Sequence, residues 1–212
     1  MNETSDAFEK NRQIYLDRLA EVDLDTVRDT LGLIPEDGRL VLPFLNRRFF
    51  VSNAGIVDED GQRPDYMLAV ILFQYILRCP DGPREDTEWI AFKDLKQTAQ
   101  FTNINYFVSD TEKVIEKNFS GRAEALRKAS EDLGGVFREM ETPYDVSMEF
   151  RVLPRISLLL LFNDADEEFP AKGTVLFQKQ AEFYLDPESL AMASAVLAGT
   201  LKQGRLQPEL NG

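Results

Sequence analysis

Residues 156–162 read Ile-Ser-Leu-Leu-Leu-Leu-Phe, an apolar run broken by a single small polar side chain. A strand of that composition is apolar on both faces, so it needs a covering layer above and below and belongs in the middle of a sheet. Before it, Met148, Phe150 and Val152 alternate with Glu149 and Arg151, the pattern of a half-exposed strand, and Pro154 then breaks or bulges the ladder. Residues 174–177 make one further short strand, and Trp89-Ile90-Ala91-Phe92 is short, aromatic and strand-like. Earlier, Leu40, Leu42 and Phe44 alternate, and Phe49, Phe50 and Val51 follow after a turn at 45–47. This predicts a β-hairpin with Asn46 in the left-handed turn position.

A second constraint is the segment Tyr66–Leu77, apolar nearly all the way round, which predicts a buried central helix at about 65–78. Pro64 suits its first position and Asp65 its first turn. Both apolar runs fall short of the about 20 residues a spanning helix needs. Other helices follow from periodicity and caps. Phe8, Tyr15, Leu16 and Leu19 share one face of an N-terminal helix, and Asp23 or Asp25 caps a short second helix that stops at Gly32. Ser109 with Glu112 has capping-box spacing, Ser120 opens another helix closed by Gly134-Gly135, and Asp186-Pro187-Glu188 starts a final helix carrying Leu190, Ala193, Leu197 and Leu201.

Helices and strands come in blocks rather than in strict alternation. That pattern predicts an α+β fold, a mainly antiparallel sheet of about five strands packed by helices. The loop 79–86, with two prolines and a glycine, is read as a surface connection, because either half alone would have a thin core. The chain is therefore taken as a single domain over 1–212, with a helical N-terminal segment at 5–32, an α+β body at 38–202, and a tail at 203–212 expected to be flexible.

The chain of 212 residues contains no histidine, one cysteine and a net charge of −13. Absence of imidazole removes Ser-His-Asp and Cys-His catalysis, His-ligated metals and an imidazole pH switch. One thiol removes an internal disulfide and any self-contained thiolate zinc or iron–sulfur site. Such acidity argues against nucleic acid and against anionic membranes as partners. Residues 1–10 are polar and acidic rather than signal-like, and a free Cys79 fits a reducing compartment, so a cytoplasmic location is expected.

Three clusters could carry chemistry. The acidic turn 163–170 offers Asp164, Asp166 and Glu168 as alternate oxygen ligands for Mg²⁺, Mn²⁺ or Ca²⁺. Phe169 and Val175 stand where an EF-hand needs glycine and an acid, so that motif fails, and a solvated turn is the plainer reading. Trp89, Phe92 and Lys93 could form a ligand or partner platform, two apolar anchors beside an anion contact, or could simply be core under the loop. Arg155, with Arg47 and Arg48, flanks strand ends and could make an anion pocket or a solvated edge. Cys79 has no base to make it a nucleophile, and Gly134-Gly135 belongs to neither phosphate-loop pattern.

The stretch 41–49 (Val-Leu-Pro-Phe-Leu-Asn-Arg-Arg-Phe), the helix end 73–77, residues 89–95, Leu133-Gly134-Gly135 and, above all, 166–171 (Asp-Glu-Glu-Phe-Pro-Ala) with 175–177 and Tyr184-Leu185 form a set. Together they resemble a family defined as domain of unknown function 3786, from anaerobic bacteria and archaea. The likeness runs from about the first helix to the last, and implies one domain and an anaerobe's cytoplasm. It brings no reaction and no catalytic residues. Where relatives carry glycine in the first hairpin turn, this chain has Asn46. Some relatives bear a cysteine-rich iron–sulfur segment, so with Cys79 alone any redox role would come from a partner.

The first functional reading is a non-enzymatic accessory domain with a protein partner or a small ligand near the Trp89 segment and the acidic turn, with no cofactor. The alternatives are a metal-dependent enzyme using Asp164, Asp166 and Glu168, and a helper of an anaerobic redox or corrinoid system, the last implied by the resemblance alone.

Overall fold

The structure is a computed structural model and describes residues 3–95 and 104–206. Helices α1 (Glu3–Ala20) and α2 (Leu24–Leu31) precede an antiparallel meander of β1 (Ile34–Glu36), β2 (Arg39–Phe44), β3 (Arg47–Ser52) and β4 (Gly55–Asp58). Helix α3 (Tyr66–Leu77) follows, then β5 (Trp89–Ala91) and a 3₁₀ turn at Phe92–Asp94. A helical run then passes from α4 (Ile104–Phe107) through a π turn (Val108–Glu112) into α5 (Lys113–Phe119). The remainder is α6 (Ala123–Asp132), β6 (Val136–Phe137), β7 (Val146–Leu153), β8 (Ile156–Asn163), β9 (Lys172–Gln178), α7 (Ala181–Tyr184) and α8 (Pro187–Leu206).

The fold is α+β. The later strands form a five-stranded antiparallel sheet in the order β5-β9-β8-β7-β6, so the doubly apolar strand is its centre, and seven of its eight residues are buried. The first hairpin belongs to a second sheet of four strands, in which β1 and β4 add short flanks that carry too few alternating residues to be legible in the sequence. One apolar core runs through both sheets and α3. Helix α3 has the predicted bounds, with Leu68, Ile71, Leu72, Tyr75 and Ile76 all at most 1% exposed. Asp65 is its cap, accepting from the Leu68 N–H, rather than a first-turn residue. Helix α8 lays Leu190, Ala193, Leu197 and Leu201 against the core, packing on α3, α6 and the π turn.

Tyr75 ties three elements together. Its buried hydroxyl donates to Leu31 O at the end of α2 and accepts from Arg155 N–H in the β7–β8 turn. The Arg155 guanidinium reaches back to the same helix end, donating to Asp29 O (2.8 Å) and Thr30 O (3.0 Å). Those carbonyls have no partner within the helix and carry the negative end of its dipole, so a cation is favoured there. Gly32 ends α2 with φ +71°, and a Cβ would meet Pro154 Cβ at 3.0 Å. Only glycine suits both the conformation and the approach.

Several local expectations differ from what is observed. In the first hairpin Leu45 (φ +52°), not Asn46, is left-handed. Its N–H donates to Val152 O and its side chain packs on the core, so a tertiary contact offsets the local cost of about 1–2 kcal/mol for a left-handed non-glycine residue. Ser109 caps nothing, because the helical run already includes 104–108; its hydroxyl bonds back to Tyr106 O. Ser120 ends α5 instead of opening α6. The segment 203–206 continues α8. Residues 207–212 of the expected flexible tail and the Phe8 side chain lie outside the described residues.

Candidate functional site

Beyond β8 the chain turns through 164–171 before entering β9, and this turn is held by its own acids together with Asp145, just before β7. Asp166 accepts from the N–H groups of Glu168 and Phe169, and Asp145 accepts from the Asp164 N–H at 2.7 Å. Asp164 reaches further. Its carboxylate accepts from Gly121 N–H and Ala123 N–H, capping α6 from a distance where Arg122 makes no side-chain cap. This satisfies donors that every helix N-terminus leaves open.

Both aspartates sit below their usual range. At Asp164 partial burial pushes upward and the N–H groups of Gly121, Ala165 and Ala123 outweigh it; at Asp166 the N–H groups of Phe169 and Glu168 act directly. A carboxylate depressed in the folded state contributes stability that is full above about pH 4, its unfolded value, and is lost as pH falls through the folded value. Asp164→Asn and Asp166→Asn are each expected to flatten the fall in stability below about pH 4. Urea midpoints of wild type and variants across the acid range check this, and parallel curves would refute it.

The opposite wall comes from the π turn and α5. Strand β5 pairs with residues 176–178 of β9, and among the described residues the first half of β9 has no strand on that side. Two carboxylates stand in for one. Glu116 accepts from Gly173 N–H and Glu112 from Val175 N–H, both at 3.2 Å. The match is geometric: residues i and i+4 of a helix rise about 6 Å, close to the i, i+2 repeat of a strand. Burial holds the Glu112 carboxyl above its usual range, against the Val175 N–H and Lys172. At Glu116 burial pushes upward too, but Lys113, Gly173 N–H and Lys172 together carry it below the usual range. The Lys113 and Lys172 ammoniums both donate to this one carboxylate, which is 9% exposed, while they remain about 60% exposed themselves.

Between the two walls lies a pocket of about 820 Å³, lined by Lys113, Lys172, Asp145, Asp164, Asp166 and Phe169 among others. Its size falls in the range of about 300–1,000 Å³ usual for small-molecule clefts. The Phe169 ring on this wall is 65% exposed.

The predicted site residues divide. Asp164 and Asp166 line the pocket, whereas Trp89, Phe92, Lys93 and Arg155 are not among its lining residues. Phe92 is core, 2% exposed and stacked on Phe107 at 4.5 Å. Trp89 is half-buried in β5 and Lys93 is exposed beside it. Arg48 pairs with Glu36 and Glu59, and Arg47 covers the Phe49 ring, so neither joins Arg155. Glu168 is exposed, and among the described residues no group of three or more acidic or thiol side chains is arranged to hold a metal ion. Sequence reasoning missed Lys113, Glu116, Lys172 and Asp145. The i, i+3 spacing of Lys113 and Glu116 was the only signal, and it is common on any charged helix.

A family model described as domain of unknown function DUF3786 matches residues 23–200. The chain belongs to the DUF3786 family. The matched region begins at Asp23, the cap of α2, and reaches into α8, so it contains both sheets and every pocket residue, while α1 lies before it. Neither the curated proteins nor the solved structures contain a match to this DUF3786 chain. No helix of the described residues is long and apolar enough to cross a membrane.

Proposed function

We propose that this DUF3786 protein is a non-enzymatic binding domain that holds a small ligand in the pocket beside the 164–170 turn. The observation that carries this reading is the lysine pair at the pocket wall. One buried carboxylate fixes both ammoniums, each with three donors of which one is used among the described residues, so donors are positioned before any ligand arrives. The available nucleophiles and bases favour binding over turnover. The hydrogen bond that Lys113 donates to Glu116 holds the ammonium above its usual range and therefore protonated. Burial, with Asp81 nearby, raises the Cys79 thiol, the reverse of what a nucleophilic thiolate needs. There is no histidine to shuttle a proton.

A small-molecule library of mixed charge, read by thermal shift and by amide NMR, tests the proposal. A ligand at a hundred times its Kd is expected to stabilise by about 2.7 kcal/mol, roughly 5–10 °C in a chain of this length, and to move resonances of 164–172. Lys172→Gln is expected to weaken both effects. A library that leaves those resonances in place, or turnover of one of its members, would overturn the reading.

A further inference from the structure

The pocket wall carries two signs of charge, and this restricts what can enter. Lys113 and Lys172 share the Glu116 carboxylate, with Glu112 close to both, and each spends one of its three N–H donors on Glu116. On the other side Asp164 is fully engaged with the N–H groups of Gly121, Ala123 and Ala165. Asp145 and Asp166 differ from it. Among the described residues each accepts backbone N–H through one oxygen, Oδ2 of Asp145 and Oδ1 of Asp166, and keeps the other. A simple anion in this pocket would meet two unspent carboxylates, and a simple cation would meet two ammoniums. Like charges placed together oppose binding strongly, so either kind is selected against. Phe169, Pro170 and Ala171 add apolar lining to the pocket.

We infer that the ligand is a small zwitterion of the amino-acid or short-peptide class, its carboxylate on Lys113 and Lys172, its ammonium on Asp145 and Asp166, and its side chain against Phe169. The inference rests on the pocket being a binding site, as proposed above, and adds the chemistry of the occupant. The lysine side is pre-set by Glu116 and the aspartate side by the turn's own backbone bonds, so neither charge has to be gathered from flexible groups. Lys113 and Lys172 are exposed enough to exchange their water for a ligand carboxylate without moving the strand they flank.

The test uses the full chain and five probes: the dipeptide Phe-Gly, its N-acetyl derivative, its C-terminal amide, succinate and putrescine. Amide NMR titration is expected to show Phe-Gly moving the resonances of 164–172. Each blocked dipeptide is expected to bind at least about tenfold more weakly, the effect of one lost charge contact. Lys172→Gln should weaken Phe-Gly but not further weaken the amide, and Asp166→Asn should weaken Phe-Gly but not further weaken the acetylated form. Equal binding of free and blocked dipeptides overturns the inference. So does binding of succinate or putrescine at 164–172 without Phe-Gly, which would leave the pocket as a binding site for a different class. No movement of 164–172 with any probe removes the inference, and a silent mixed-charge library in addition removes the pocket reading beneath it.

Discussion

Phe92→Ala is expected to destabilise the protein by about 3–5 kcal/mol, the usual cost of removing a fully enclosed phenylalanine. The ring is 2% exposed, stacks on Phe107 at 4.5 Å and meets Phe177 at 5.6 Å. Phe177 lies on β9 and Phe107 ends α4, so this trio joins the five-stranded sheet to the helical run that carries the π turn. A cavity there cannot collapse easily, because its other walls belong to a sheet and a helix held by separate contacts. In a chain of this length 1 kcal/mol corresponds to about 2–4 °C, so a fall in Tm of about 6–20 °C is expected. Lys93→Ala, at the next residue and exposed, should stay within about 0.5 kcal/mol. The pair separates a core role for this segment from a surface one. A stable Phe92→Ala protein with altered ligand binding would reverse the assignment of Phe92 to the core.

Glu116→Ala is expected to cost about 2–3 kcal/mol, seen as a lower urea midpoint and a Tm reduced by about 5–10 °C. The substitution removes the acceptor for Gly173 N–H, which lies in a buried part of β9, and an unsatisfied buried donor alone costs about 1–3 kcal/mol. The full 3–5 kcal/mol of a broken buried ion pair does not apply, because both lysines are well exposed and can be rehydrated. Glu116→Gln keeps an acceptor for Gly173 while releasing the lysines, so it should retain most of the stability and lose ligand binding. Equal destabilisation by the two variants would mean that charge, rather than the hydrogen bond to β9, is what the strand edge needs.

The carboxylates of Glu112 and Glu116 also explain why the first half of β9, paired with β8 on one side, tolerates having no described strand on the other. An unpaired strand edge is a template for pairing with other chains, and proteins cover or charge such edges. Here a helix covers it, with side-chain acceptors taking the place of a backbone ladder. The π turn that ends at Glu112 buries Thr111, whose hydroxyl bonds Ser194 of α8. This anchors the helix that presents both glutamates.

The elements legible in the sequence were those whose signal is local and dense. Residues 156–162 are apolar on both faces, which only a central strand tolerates, and Tyr66–Leu77 is apolar all round, which only a buried helix tolerates. Asp23, Gly32, Asp186 and Gly134 act at helix ends through their own side chains or backbone freedom, so they too could be read directly. The division of strands into two sheets is a matter of long-range pairing, and the left-handed Leu45 in place of Asn46 depends on a contact with β7 about a hundred residues away in the chain.

For the site, the amino-acid order determined the chemistry on offer: no imidazole, one thiol, and an acidic turn behind a rigid strand. Tertiary structure alone decided the use of those groups. It turned Asp164 to the N-terminus of α6, put Arg155 at the end of α2, and brought Lys113 and Glu116 from one helix to Lys172 on a strand more than fifty residues away. The reason is range. Hydrophobic periodicity is written between near neighbours and survives in one dimension, whereas a charge has its meaning set by whatever the folded chain places within about 4 Å of it.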